Sequence, residues 1–258
     1  MRKLKLVIGA LLVLFADAVF AQYARFPAAG TIEFEKTVNM YALIKKRIGN
    51  SNDAFYQQAF DAYKKSQPQF KRVKSTLSFA GNKTLFAPDN STEATRNFFS
   101  DEPLAGQPNI IFTDLSNQSS ITQKSVFEET FLVKDSVRQI TWKITDETRE
   151  IAGYPCRRAN ALVMDSIYVV AFYTDKIPVS GGPESFTGLP GMILGVALPH
   201  ENVTWFATKV TDAPVAANTM IAPKKGKATD LAGLVETLKD ALKNWGNRAQ
   251  ASLKALLL

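Results

Sequence analysis

The sequence contains one cysteine, Cys156, and one histidine, His200, among 258 residues. A lone cysteine cannot form an intrachain disulfide, so the core must hold itself by packing, and Cys156 reads as a small buried hydrophobe. One histidine excludes most zinc sites and most Ser-His or Cys-His arrangements. It sits in a turn-like run, Leu198-Pro199-His200-Glu201-Asn202. No Gly-x-Ser-x-Gly elbow occurs, because Ser185 lies three residues after Gly182 and three before Gly188. No phosphate-binding loop occurs either, since Gly226-Lys227 runs into Ala228. Calcium-loop spacing is also missing. No catalytic residue, metal ligand or cofactor can be nominated. What remains for catalysis is four acidic pairs, Glu33/Glu35, Asp101/Glu102, Glu128/Glu129 and Asp146/Glu147, the material of a carboxylate-dependent hydrolase. Nothing in their pattern selects them over solvated surface.

Long apolar runs are absent as well. The longest, Leu6–Phe15, has ten residues, against the roughly 20 that a membrane-spanning helix needs. It follows Arg2, Lys3 and Lys5, and Val19 and Ala21 stand three and one residues before Gln22. That is the layout of a cleavable secretory signal over residues 1–21. No cysteine lies at the cut, which argues against a lipid anchor. The expectation is an exported, soluble chain with no transmembrane segment, periplasmic or secreted and associated with the outer membrane. The formal charge is +7; the leader removes three cations and Asp17, leaving +5. The excess is scattered over runs such as Lys71–Lys74 and Lys224–Lys227, and export sets nucleic acid aside as a partner.

Periodicity predicts a mainly β protein of α+β class. Ile32 and Phe34 alternate with Glu33 and Glu35, a half-buried strand, and from Asn39 the spacing turns helical through Met40, Leu43, Ile44 and Ile48. Ser51-Asn52-Asp53 offers caps for a second helix carrying Phe55, Ala59, Phe60 and Tyr63, stopped by Pro68. Strands are predicted over Lys71–Phe79 and Lys83–Phe86, joined at Gly81-Asn82. Further strands follow over Asn109–Asp114, Ile121–Glu128, Thr130–Lys134 and Arg138–Ile144, with a polar surface loop over 87–108. A hairpin pairs Cys156–Val163 with Ile167–Tyr173 through Met164-Asp165-Ser166. Its second strand is apolar on both faces, so both are covered or one lines a cavity. Another hairpin joins Met192–Val196 to Val203–Val210. A basic linker, Pro223–Lys227, precedes one C-terminal helix from Thr229, with Leu231, Leu234, Val235, Leu238, Leu242 and Trp245 in a stripe. Leu256-Leu257-Leu258 should fray unless it docks. The architecture expected is a curved, half-barrel-like antiparallel meander with a helical insertion over 40–66. The domain spans 22–222, and the segment 223–258 packs on it.

One stretch is distinctive. Ile177-Pro178 and Gly182-Pro183 lead into Phe186-Thr187-Gly188-Leu189-Pro190-Gly191-Met192-Ile193-Leu194. Pro190 presets φ and Gly191 can take positive φ, so Leu189–Met192 suits a type II turn that delivers the chain into a strand. Upstream stand Trp142, Gly153-Tyr154-Pro155-Cys156-Arg157-Arg158-Ala159 and Ala171-Phe172-Tyr173-Thr174. Together these resemble the GLPGLI family of exported Bacteroidetes-type proteins. Met192 replaces a leucine, Arg158 a lysine and Phe172 a tryptophan of the family pattern. The resemblance covers residues 139–210 and implies a secreted or periplasmic protein without established activity, thought of beside outer-membrane transport systems. In that phylum Asp135-Ser136-Val137 and Asp165-Ser166-Ile167 would read as O-glycosylation signals at Ser136 and Ser166. The function expected is a non-enzymatic envelope protein binding a lipid or other apolar ligand, or an outer-membrane transport partner. The alternative is the carboxylate hydrolase.

Overall fold

The computed structural model describes residues 26–49, 54–89, 99, 102–106, 108–216 and 218–258, the Asn247 side chain excepted. The leader expected over residues 1–21, the expected cap Ser51-Asn52-Asp53 and most of the polar loop lie outside those residues.

Helix α1 (Met40–Ile48) continues directly from strand β1 (Ala29–Asn39), and α2 (Ala54–Ser66) returns the chain to β2 (Phe70–Ala80). Then come β3 (Lys83–Pro88), the short α3 (Pro103–Gly106), β4 (Ile110–Asp114), β5 (Ser119–Val126) and β6 (Glu129–Ser136). Next are β7 (Lys143–Ile151), β8 (Tyr154–Val163), β9 (Ile167–Thr174), β10 (Met192–Leu198) and β11 (Val203–Thr211). The chain ends in β12 (Lys227–Thr229), α4 (Leu231–Leu242) and α5 (Ala249–Leu257). The strands form one open sheet, not closed into a barrel, in the order β12-β6-β5-β4-β3-β2-β1-β11-β10-β9-β8-β7. Every pairing is antiparallel except β12 with β6. The mainly β, meandering class read from periodicity is the observed one.

Register follows from alternation. Ile32, Phe34, Lys36 and Val38 are buried along β1, and the pairing sets Ile32 beside Leu77 and Lys36 beside Trp205. That shared side is the inner face, and a one-residue slip would put four of these side chains in water. Asn39 is the pivot from strand to helix: its Oδ1 accepts the Ala42 N–H at 3.1 Å, capping α1. On β9, Val169, Ala171 and Tyr173 face inward while Val170 and Phe172 are buried on the opposite side. There the Arg149 guanidinium of β7 lies 5.1 Å from the Phe172 ring and 4.9 Å from the Phe206 ring. A Cβ on Gly195 would meet Phe206 at 2.6 Å and Ile151 at 3.0 Å, so the folded-over β7 needs glycine there. Both faces of β9 are thus covered.

Three expectations change. The strand placed over Arg138–Ile144 begins only at Lys143 and runs to Ile151. Its residues are almost all exposed on this edge of the sheet, so no alternation marks it. Residues 137–142 cross the structure without strand pairing, with Val137 buried and Trp142 Nε1 donating to the Thr187 carbonyl at 2.8 Å. The loop at 87–108 is not all surface, because Phe99, Leu104 and Ala105 are buried and 103–106 is a helical turn. The C-terminal helix is two helices, broken around Gly246 at φ 55°. Its last residues dock, Leu256 and Leu258 being buried. Helix α4 starts where Asp230 accepts from the Gly233 N–H at 2.8 Å and Asp135 of β6 accepts the Leu231 N–H at 3.0 Å. Its stripe Leu234, Leu238 and Leu242 then joins Val126, Phe131, Val133, Leu253 and Leu256 in a second core beside the main one. Truncating one of these leucines to alanine would cost about 2–5 kcal/mol.

Candidate functional site

The residues of the motif form a packed corner on the inner face. Ile177, Pro183, Leu189, Met192, Ile193 and Leu194 are buried, whereas Pro178, Gly188 and Pro190 reach the surface. The bend is tighter than a type II turn. The Gly191 N–H donates to the Leu189 carbonyl at 2.8 Å, a three-residue turn about Pro190, and the Met192 N–H goes to the Ile177 carbonyl at 3.0 Å. Gly191 has φ 142°, and a Cβ there would lie 2.1 Å from the Thr174 carbonyl oxygen. A Cβ on Gly182 would strike the Phe186 carbonyl oxygen at 2.6 Å and Ile193 at 2.8 Å. Tyr154 and Cys156 stand apart, at the start of β8. Cys156 is fully buried, and burial pushes its thiol up to about 11.

This corner delivers Glu184, itself at φ 51°, into the interior. Glu184 Oε2 accepts from Asn109 Nδ2 at 2.9 Å. Three cations share this side of the sheet. Lys36 is buried with its Nζ 4.9 Å from the centre of the Trp205 ring, and among the described residues it makes no hydrogen bond or ion pair. Lys124 donates to the Leu256 carbonyl at 2.8 Å, and Arg138 donates to the Leu257 carbonyl. Burial lowers all three; for Lys124 the result is about 8, with Glu184 pulling the other way. Asn109 Oδ1, Trp205 Nε1 and Arg138 Nη1 are buried without a hydrogen-bond partner among the described residues. Between Lys36, Asn109, Glu184 and Trp205 lies a hole of about 10 Å³, closed by Leu104, Ala255 and Leu258. One water molecule fills that much space.

Above this hole runs a groove along α5. A cavity of about 460 Å³ lies between α1, α3 and α5, lined by Leu43, Ile48, Leu104, Ala255 and Leu256, with Phe127 and Trp245 at one end. A second, of about 330 Å³, adjoins it past Lys46 and Ala251 and reaches Ile167, Lys254 and Leu258. Lys46, paired with Glu201 at 2.8 Å, lines both cavities, and Arg47, near Glu102 at 3.6 Å, lines the larger one. Ser166, one of the two serines in glycosylation-like triplets, is exposed at the rim of the smaller cavity and bonds Lys254 Nζ at 2.5 Å. Ser136, the other, is exposed at the end of β6.

Of the acidic pairs' described members, only Glu102 lines the groove. Glu33, Glu35, Asp146, Glu147 and Glu129 each sit near a surface cation, respectively Lys209, Arg72, Arg157, Arg158 and Lys227. Asp101 lies outside the described residues. Among the described residues no three His, Cys, Asp or Glu side chains cluster as metal ligands. No described helix is long and apolar enough to cross a membrane.

Sequence reasoning passed over Lys36, Lys124, Arg138 and Glu184. A signal for Lys36 existed: the alternation Ile32, Phe34, Lys36, Val38 puts a lysine on the apolar side of β1. Glu184 had none, because a loop has no periodicity to betray a buried carboxylate.

No curated relative matches the sequence. A family described as "Protein of unknown function (Porph_ging)" matches residues 162–195, the end of β8 through the motif corner into β10, and suggests a Bacteroidetes-type family. Two solved structures are similar in fold. "Structure of PNGF-II in C2 space group" has a TM-score of 0.52 at 14% identity, over 81% of this chain and 32% of that one. "Structure of PNGF-II in P21 space group" has 0.51 at 16% identity, over 81% and 33%. This chain therefore spans about a third of the length of PNGF-II. At that identity the likeness is one of architecture: a mostly antiparallel open sheet with helices laid against it.

Proposed function

We propose that this protein is an exported, GLPGLI-type envelope protein that binds an apolar ligand at the outer-membrane periphery and does not turn it over. The observation that carries the reading is the groove along α5. Two adjoining cavities of about 460 and 330 Å³ share Lys46, Leu104, Ala251 and Ala255. Their size falls within the roughly 300–1,000 Å³ typical of small-molecule sites. The larger cavity is lined by more apolar than polar residues, the Lys46–Glu201 and Arg47–Glu102 pairs among the latter, and its apolar stretch along Leu43, Ile48, Leu104, Ala255 and Leu256 suits a hydrocarbon chain. The motif corner supports this use by fixing the inner sheet face against which α5 rests. Glu33, Glu35, Glu129, Asp146 and Glu147 lie on surface strands beside cations, and the two carboxylates that line the groove, Glu102 and Glu201, are each held by a cation, Arg47 and Lys46, so the binding reading is preferred.

The test uses protein purified after export and the neutral apolar probe N-phenyl-1-naphthylamine. Wild-type protein should bind it with enhanced fluorescence. Ala251→Trp, at an exposed position lining both cavities, should weaken binding at least about tenfold by filling the groove. If the probe does not bind, or if Ala251→Trp leaves its affinity unchanged, the groove is not the ligand site. Intact mass of the same sample reads two further parts of the proposal. A chain beginning at Gln22 supports the leader, and added hexose-type mass lost in Ser136→Ala or Ser166→Ala supports glycosylation.

A further inference from the structure

Lys36 lies beside the hole beneath the groove, and stability alone gives no reason for its charge. Lys36, Lys124 and Arg138 face a single side-chain carboxylate, Glu184, and Lys36 has no hydrogen bond or ion pair among the described residues. Unmatched buried charge destabilises a fold, and apolar residues of similar size would serve packing better. What the cations do contact is the end of α5. Lys124 and Arg138 donate to the Leu256 and Leu257 carbonyls, the negative end of the α5 dipole, where cations are favoured. The hole beside Lys36 and the groove above it are not separate. Leu104, Ala255 and Leu258 line both, so the last turn of α5 is the wall between an apolar channel and a cationic end.

We infer that groove and hole are two ends of one site for a long-chain carboxylate. The chain lies between α1, α3 and α5. The carboxylate sits against Lys36 Nζ and Trp205 Nε1 after the Leu258 side chain swings out of the shared wall. A hole the size of one water favours a carboxylate over a phosphate, and the groove favours a single chain. This assignment rests on the groove reading above and names its ligand class. With one added anion, the side chains of the cluster move closer to neutrality: three cations then face two carboxylates.

The experiment compares palmitate with hexadecanol, which has the same chain and no charge, as displacers of N-phenyl-1-naphthylamine from the exported protein. Palmitate should displace the probe at a concentration about 10- to 100-fold lower than hexadecanol, the range expected for a hydrogen bond to a charged group. In Lys36→Met the preference should fall to under about threefold while hexadecanol still binds, because only the charge is gone. If neither compound displaces the probe, the groove reading itself fails. If both displace it equally from wild type, or if Lys36→Met keeps the preference, the groove stands and the head-group assignment is overturned. The wild-type comparison decides the matter even if the variant does not fold.

Discussion

Glu184→Gln isolates the electrostatics of the interior. The amide is isosteric and can still accept from Asn109, so the change removes one negative charge and little volume. Glu184 favours the charged forms of Lys36, Lys124 and Arg138, and burial opposes each of them. In an effective dielectric of about 20, two unit charges about 6–8 Å apart interact by about 2–3 kcal/mol. The loss is capped for lysine, because a lysine can release its proton. Lys124 titrates at about 8 in the folded protein, so neutralising it at about pH 7 costs only about 1.4 kcal/mol. Arg138 has no such escape. The expected destabilisation at about pH 7 is about 3 kcal/mol, measured by urea denaturation.

Linkage gives the experiment its second reading. Lys124 is a base whose folded value is lowered from 10.5 to about 8, so between those values the unfolded chain holds a proton that the folded chain lacks. Wild-type stability should therefore rise with pH across that window, by about 3 kcal/mol from this lysine, and be flat in this respect below it. Once Lys124 is neutral it no longer needs Glu184. The Glu184→Gln deficit should thus shrink by about 1.4 kcal/mol between about pH 7 and about pH 9.5. A deficit below about 1 kcal/mol at neutral pH, or one of equal size at both pH values, would refute the reasoning.

Other consequences follow from single positions. Gly191→Ala forces a Cβ toward the Thr174 carbonyl at a φ that L residues rarely adopt, and should cost about 3 kcal/mol or more. Gly81→Ala, at φ 54° with open space around it, should cost about 1 kcal/mol; thermal melts of the two should differ clearly, and equal shifts would contradict the packed corner. Cys156 should resist a thiol-specific chromogenic reagent at about pH 8 in the native protein and react once in urea, because burial raises its thiol to about 11. Fast native labelling would show that β7 does not stay folded over β8.

The sequence by itself determined the elements with a strong period or sharp punctuation. Asn39 ends β1 and caps α1, Gly81 and the Met164-Asp165 pair turn their hairpins at positive φ, and the α4 leucines recur on one stripe. It also carried the presence of a bend at the motif, because Pro190 fixes φ and Gly191 can take positive φ, although the turn is tighter than the type II turn those residues suggest. Strand β7 was not legible, since an exposed edge strand needs no apolar alternation and Lys143–Ile151 has almost none. The break in the C-terminal helix was hidden for the opposite reason: both halves are amphipathic and share the second core, and only the second half also reaches the main core, through Ala255 and Leu258.

The candidate site belonged almost wholly to tertiary structure. Lys36, Lys124, Arg138 and Glu184 come from β1, β5, the 137–142 crossing and the motif corner, and no local signal links them. A lysine on the apolar face of a strand is visible in sequence, but whether it is unmatched depends on what the rest of the chain brings within a few ångströms. The two-faced strand β9 shows the same limit. Its composition required that both faces be covered or that one line a cavity, and only the fold-over of β7 decided that both are covered. It also placed the open space elsewhere, along α5.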